Sequence, residues 1–112
     1  QAEFEAWQQQ QRQAVPAPSS GDAAQGALIF QQRTCANCHT IAGTPAAARA
    51  GPDLSHLASR QTLGAGVLDN TPENLMKWLT DPQAVKPGNH MPSLRMSEPD
   101  LRALVAYLET LQ

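Results

Sequence analysis

Cys35-Ala36-Asn37-Cys38-His39 decides the reading of this chain: two cysteines two residues apart, closed by a histidine, form the attachment signature of c-type haem. Each thiol can add across a vinyl group of the porphyrin, and the adjacent imidazole reaches the iron from the same turn as its proximal axial ligand. C-x-x-C also serves zinc ribbons, thioredoxin-like disulfide exchange and structural disulfides. A structural zinc site of this type wants four Cys or His ligands, usually as two such pairs, and Cys35 and Cys38 are the only cysteines in the chain. Thioredoxin-like chemistry needs the pair at the start of a helix in an α/β fold, and no alternating β-branched strands are present to build that sheet. With His39 attached, covalent haem is the reading that remains.

Length and composition fit one small domain, since the chain has 112 residues. Aromatic residues make up 4%, and small proteins with so few large side chains struggle to bury a sufficient core. A porphyrin would supply the missing apolar bulk. Eight Lys and Arg against ten Asp and Glu give a net charge of −2, which indicates neither a nucleic-acid footprint nor attraction to an acidic membrane surface. No apolar run approaches the roughly 20 residues that span a bilayer, and the start does not read as a signal peptide. The chain as given is expected to be soluble.

The opening residues read as a piece of something longer. Phe4-Glu5-Ala6-Trp7, followed by Gln8 to Gln11, resembles the end of a preceding element. Val15-Pro16-Ala17-Pro18-Ser19-Ser20-Gly21 then reads as an extended, semi-rigid tether. The expected division is residues 1–21 as preceding element and linker, and residues 22–112 as the domain. No internal repeat is present.

Asp22 is a candidate N-cap for a helix through Gly26, Ala27, Phe30 and Gln31, ending just before the cysteine pair. Gly26 and Phe30 share a face, so the glycine leaves room for a second helix to cross closely. The expected partner begins at Ser97, three residues before Asp100, and carries Leu101, Leu104, Val105, Leu108 and Leu111 at helical spacing, with Tyr107 in reach of the crossing. Between them, Thr71-Pro72-Glu73-Asn74 predicts an N-cap with proline at the first helical position, opening a short helix through Leu75, Trp78 and Leu79 that Asp81-Pro82 ends. Ile41 to Ala50 is expected to be loop, and Gly51-Pro52-Asp53 and Pro87-Gly88-Asn89 are turn signals. Loops this long and apolar need an object to wrap, and a haem would be that object.

A six-coordinate haem needs a second axial ligand, and Met76, Met91, Met96, His56 and His90 are the candidates. Met76 sits inside the predicted short helix, where packing is the default. Met96 lies at the entrance to the last helix and suits a hydrophobic staple. Met91 stands in Pro87-Gly88-Asn89-His90-Met91-Pro92, a loop stiffened at both ends, which is what holding a weak thioether against iron requires. Met91 is therefore favoured, with His90 as its competitor and His56 read as a surface or loop histidine.

These residues together resemble class I cytochrome c over nearly all of residues 22 to 112. Besides Cys35, Cys38 and His39, the likeness runs through Gly51-Pro52-Asp53-Leu54, Arg60, Leu75-Met76-Lys77-Trp78-Leu79, Pro87-Gly88-Asn89-His90-Met91 and the closing Leu104 to Leu108. The resemblance implies an all-α fold: three main helices, plus short helices and loops, wrapped around one covalently bound haem c. It gives the Pro52 carbonyl the task of accepting a hydrogen bond from His39, which fixes the imidazole tautomer. It places Arg60 near a buried propionate, Asn89 at the propionate edge, Leu54 and Leu79 against the cofactor, and Trp78 near the axial sulfur. For Trp78, plain packing against the haem is an equal reading. Asn70 stands near the position where many members keep a propionate-binding tryptophan.

Phe4-x-x-Trp7, the Pro-rich tether and the run from Gly51 to Asn74 further resemble subunit II of caa-type haem–copper cytochrome c oxidases with a fused cytochrome c. That resemblance implies a one-electron carrier passing electrons from a redox protein to the copper A centre of the same subunit, on the periplasmic or outer face of a bacterial membrane. The isolated domain would then be a carrier and not a catalyst. With both axial positions filled, iron has no substrate site, and a Met ligand favours the ferrous state. An exposed haem edge ringed by Ala36, Asn37, Ala42 and Pro92 would suit brief docking. Two alternatives stand beside this reading. One is fusion to another redox enzyme, such as a dehydrogenase or nitric-oxide reductase; the other is a labile Met ligand that lets peroxide or a diatomic gas reach the iron.

Overall fold

The computed structural model describes residues 1–112. Helix α1 spans Ala2–Arg12, α2 spans Gly21–Gln32, and the single turn α3 spans Cys35–Cys38. The N-cap of α2 is Ser20 and not the expected Asp22. Gly21 has a φ of +73°, which glycine adopts without a Cβ clash, so the chain turns into the helix earlier than the polar pattern suggests. Asp22 falls in the first turn, where its carboxylate complements the positive end of the helix dipole.

Two short helices follow the central loops. α4 spans Pro72–Thr80, and the Thr71 hydroxyl accepts from the Asn74 N–H at 3.1 Å as its N-cap. Asp81 then closes α4 and caps α5, Pro82–Val85, accepting from the N–H groups of Gln83 at 3.1 Å and Ala84 at 3.3 Å. Ahead of them lie a 3-10 turn at Leu57–Ser59 and a small antiparallel pair, β1 Thr62–Leu63 and β2 Leu68–Asp69, in the register Thr62 to Asp69. Strands of two residues carry no alternation, which is why the sequence pattern predicts none.

The last helix, α6, spans Glu98–Leu108, and the Ser97 hydroxyl accepts from the Asp100 N–H at 3.3 Å. Met96 and Leu101 are both buried, in the positions where a hydrophobic staple fixes helix entry. The helix stops three residues short of the apolar pattern, yet Leu111 is buried too, because a turn folds it back onto the core.

Packing centres on the crossing of α2 and α6. A Cβ added to Gly26 would lie 2.0 Å from the Ala103 carbonyl oxygen and 2.7 Å from Tyr107 Cβ. Only glycine lets the two backbones approach this closely. One turn further on, Phe30 meets Tyr107 edge-on with ring centroids 6.1 Å apart, an arrangement that adds about 1 kcal/mol to simple burial. The same core takes in Ile29, Ile41, Leu57, Leu63, Leu75, Leu79 and Leu104, so it joins three main helices to the loops between them.

Helix α1 stands apart from this core. α1 has no buried residue, and Phe4 and Trp7 stack on each other at 5.8 Å while remaining 53% exposed each. The stretch after it has no regular structure up to α2, and Val15 packs against the core. No helix is long and apolar enough to cross a membrane.

Candidate functional site

Cys35 and Cys38 sit at the two ends of α3, three residues apart and so on one face of a single helical turn. Neither is paired in a disulfide. Cys35 is buried; burial pushes its thiol above the ordinary value, and its backbone hydrogen bond and Arg33 only partly offset that. His39 follows as the C-cap, its N–H bonded to the Cys35 carbonyl at 3.0 Å.

The imidazole is held from two sides by Gly51-Pro52. His39 Nδ1 lies 2.7 Å from the Pro52 carbonyl oxygen, a distance at which the nitrogen must carry the proton and donate. That fixes the tautomer and leaves Nε2 with a free lone pair for a metal. The Gly51 N–H donates to the Cys38 carbonyl at 2.6 Å. A Cβ on Gly51 would fall 2.5 Å from His39 Cε1 and 2.8 Å from Nδ1. The glycine is thus a cradle for the ring. The sequence marks Gly51 as part of a turn and of the family likeness; its closeness to the histidine is a tertiary fact.

Met91 comes from a separate loop with its own bracing. Its N–H donates to Asn89 Oδ1 at 2.7 Å, and its carbonyl accepts from Gln83 Nε2 at 3.1 Å. Asn89, expected at the propionate edge, commits both amide hydrogens inside the loop, to the carbonyls of Lys86 at 2.7 Å and Pro82 at 3.0 Å. Its side chain closes the loop and keeps no N–H over. Asp81 accepts from the Ser93 hydroxyl at 2.8 Å, which anchors the far side. The Ser93 hydroxyl, with the α5 amides, holds the Asp81 carboxyl below the usual range against a desolvation effect of opposite sign. Met91 is half-buried and packs on the core, whereas its neighbour His90 is exposed.

The remaining candidates divide. Leu79 is buried and Leu54 half-buried against the core. Trp78 lies over Gly64, where an added Cβ would approach the indole to 3.0 Å, and no hydrogen bond engages its N–H. Arg60 is exposed and donates to the Asp53 carbonyl. Burial raises the Asp53 carboxyl, but hydrogen bonds from Ser55 and the charge of Arg60 outweigh it and leave the group below its ordinary value. Asn70 donates to the carbonyls of Leu57 at 2.8 Å and Arg60 at 2.9 Å, tying down the 3-10 turn.

His56 lies in the turn ahead of the 3-10 segment, in line with a loop histidine, but it is buried and not at the surface, with Nδ1 donating to the Gln112 carbonyl, because the turn after α6 brings the last residues across that segment. Met76 is half-buried on α4 and packs against the core, and Met96 is buried at the entrance to α6. No hydrogen bond joins the histidine turn to the Met91 loop; each is organised by its own neighbours.

A thiol pair on one turn, an imidazole with Nε2 free, and a braced thioether on a second loop match the donor chemistry of haem c. The Gly51 cradle, which has no other evident use, fits the same group. Fold and site together define a small helical protein built to carry a covalently attached haem. The cytochrome c family profile matches residues 23–112, and the chain belongs to the cytochrome c family, whose cofactor is covalent haem c.

Relatives carry the likeness further. The chain is 40% identical over 111 residues to cytochrome c oxidase subunit 2 of Alkalihalophilus pseudofirmus, a match covering 98% of this chain and 32% of that protein. It is 33% identical over 115 residues to cytochrome c oxidase subunit 2 of Bacillus subtilis, with the same coverage of 98% and 32%. The chain therefore spans about a third of the length of these curated relatives. Among solved structures, cytochrome c2 of Rhodobacter capsulatus superposes with a TM-score of 0.52 at 22% identity, over 79% of this chain and 96% of the other. At that identity the likeness speaks for the fold: the class I cytochrome c fold expected from sequence.

Proposed function

We propose that this domain is a one-electron carrier that takes electrons from a redox protein and delivers them to the copper A centre of the same oxidase subunit. The observation that carries this is the extent of the match to oxidase subunit 2: 98% of the chain, so it reaches the N-terminal segment outside the cytochrome c profile. In this reading residues 1–21 are the end of the copper A domain and a linker, with residues 22–112 as the cytochrome. The exposed Phe4 and Trp7 pair is then the part of α1 that the preceding domain covers. The domain lies on the periplasmic or outer face of the bacterial membrane.

Cys35 and Cys38 would hold the haem through thioether bonds, and His39 and Met91 would supply a nitrogen and a sulfur donor to its iron. When bound, haem c supplies an iron that gains and loses one electron with little change in its surroundings. The chain's own residues keep that surrounding fixed. Pro52 and Gly51 hold the His39 ring in one orientation, the Met91 loop stays closed on its own hydrogen bonds, and buried Leu57, Leu75 and Leu79 exclude water. Arg60 remains at the surface, where its guanidinium can meet a propionate. Tethering to the acceptor replaces a bimolecular encounter by an intramolecular one, with an effective concentration in the mM range for a short flexible linker.

Rapid reduction of the haem in the full subunit, followed optically, tests the proposal. Electron arrival at copper A should be first order and independent of protein concentration. If the reduced haem persists while copper A is reoxidised and refilled by another donor, the proposed acceptor is wrong.

A further inference from the structure

We infer that Gln83, a residue of the short helix α5 with no assigned role, positions Met91 and keeps its loop closed. The inference rests on Met91 ligation as proposed above. Every polar atom of the Gln83 carboxamide is engaged by the loop it faces: Nε2 donates to the Asn89 carbonyl at 2.6 Å and to the Met91 carbonyl at 3.1 Å, and Oε1 accepts from the Gly88 N–H at 3.1 Å. One side chain thus grips three of the four residues from Gly88 to Met91. Its own backbone is fixed in turn, since the Gln83 N–H donates to Asp81 Oδ1 at 3.1 Å, and Asp81 also holds Ser93 on the far side of Met91.

The chemistry calls for a carboxamide. A thioether is a weak, uncharged ligand, so the fraction of iron it occupies depends on how firmly the loop presents it. Two N–H donors are needed for the two carbonyls, and one acceptor for the Gly88 amide; only an amide side chain offers both. Glutamate has the same shape and keeps the acceptor, but it sets a carboxylate against two carbonyl oxygens. Glutamate is also favourable in the first turn of a helix. Gln83→Glu therefore separates a clasp on the loop from a contribution to α5: the first role is broken, the second is kept or improved.

The test uses the haem-loaded ferric protein, with imidazole titrated as an external ligand that competes with Met91, and with the far-red sulfur-to-iron band as a second readout. Gln83→Ala and Gln83→Glu should each bind imidazole about tenfold more tightly than the parent and show a weaker far-red band, as expected for losing the two donated hydrogen bonds. Thr80→Val, which removes a 2.7 Å bond within α4, should leave imidazole affinity unchanged. Parental affinity in Gln83→Glu overturns the inference, and so does an equal rise in Thr80→Val. A parent protein without the far-red band overturns Met91 ligation and this inference with it; a parent with the band and unresponsive Gln83 variants overturns the inference alone.

Discussion

Gly51→Ala should damage the site through a single methyl group. Gly51 is not in the left-handed region, so alanine fits the backbone and the whole effect is steric. The new Cβ would stand 2.5 Å from His39 Cε1, 2.8 Å from Nδ1 and 3.1 Å from Nε2. Ordinary carbon contacts lie at about 3.5 Å, so the ring or the loop must retreat by about 1 Å. The ring is tied at the other end: the 2.7 Å bond to the Pro52 carbonyl would stretch towards about 3.5 Å, outside hydrogen-bonding range. Overpacking costs about 1–3 kcal/mol, and the lost hydrogen bond about 1 kcal/mol more. The haem-loaded protein should therefore lose about 2–4 kcal/mol in guanidinium unfolding. The bond to Pro52 also makes the imidazole a stronger donor to iron. Weakening it removes support from the ferric state, so the reduction potential should rise by tens of millivolts, since 59 mV is a tenfold change for one electron. Gly66→Ala is the control. Its φ is +94° with nothing within 4 Å of the new Cβ, so it should cost about 1 kcal/mol and leave the potential alone. If Gly51→Ala stays within about 0.5 kcal/mol of the parent with an unchanged potential, the cradle argument is wrong.

Gly26→Ala must push α2 from α6, because the clash is with the Ala103 main chain at 2.0 Å and no rotamer relieves it. Alanine's better helix propensity returns about 1 kcal/mol, and thermal unfolding should still show a net loss of about 1–2 kcal/mol. Asp81 has a depressed carboxyl pKa, so the folded state gains from its ionised form. That gain is complete above the ordinary value of about 3.9 and is lost as pH falls through the lower folded value. Asp81→Asn retains an N-cap acceptor, so acid titration followed by the far-red band should show a weaker pH dependence below about pH 4. Arg33→Ala breaks the 3.2 Å pair with Asp100, whose side chains are 49% and 34% exposed. It should cost less than about 1 kcal/mol in denaturant unfolding, and less still in high salt.

The local signals in this chain were readable because each rests on residues close in sequence. Ser97 with Asp100, Thr71 with Asn74, and Pro72 at the first helical position mark helix starts by chemistry confined to one turn. Gly26 and Phe30 are four residues apart, so a crossing site was visible, although its partner atoms on Ala103 were not. The misreadings come from non-local effects. Asp22 has a capping side chain no worse than that of Ser20, but Gly21 turns the backbone first. His56 reads as a surface or loop histidine; it does lie in a turn, but the residues after α6 cover it. Asn89 reads as a residue for the propionate edge and Gln83 carries no local signal; the hydrogen-bond partners of both depend on how tightly the loop between them doubles back.

Sequence alone determined the attachment chemistry, because C-x-x-C-H places two thiols and an imidazole within one helical turn whatever surrounds them. It also determined the helical architecture, through caps and apolar spacing that act over three or four residues. Tertiary structure decided which groups brace the two segments: Gly51 against the His39 ring from twelve residues away, and Gln83 across the Met91 loop. A linear pattern specifies which faces are apolar and where helices begin, but contact between distant segments depends on how those faces pack, and a difference of 1 Å there separates a cradle from a clash.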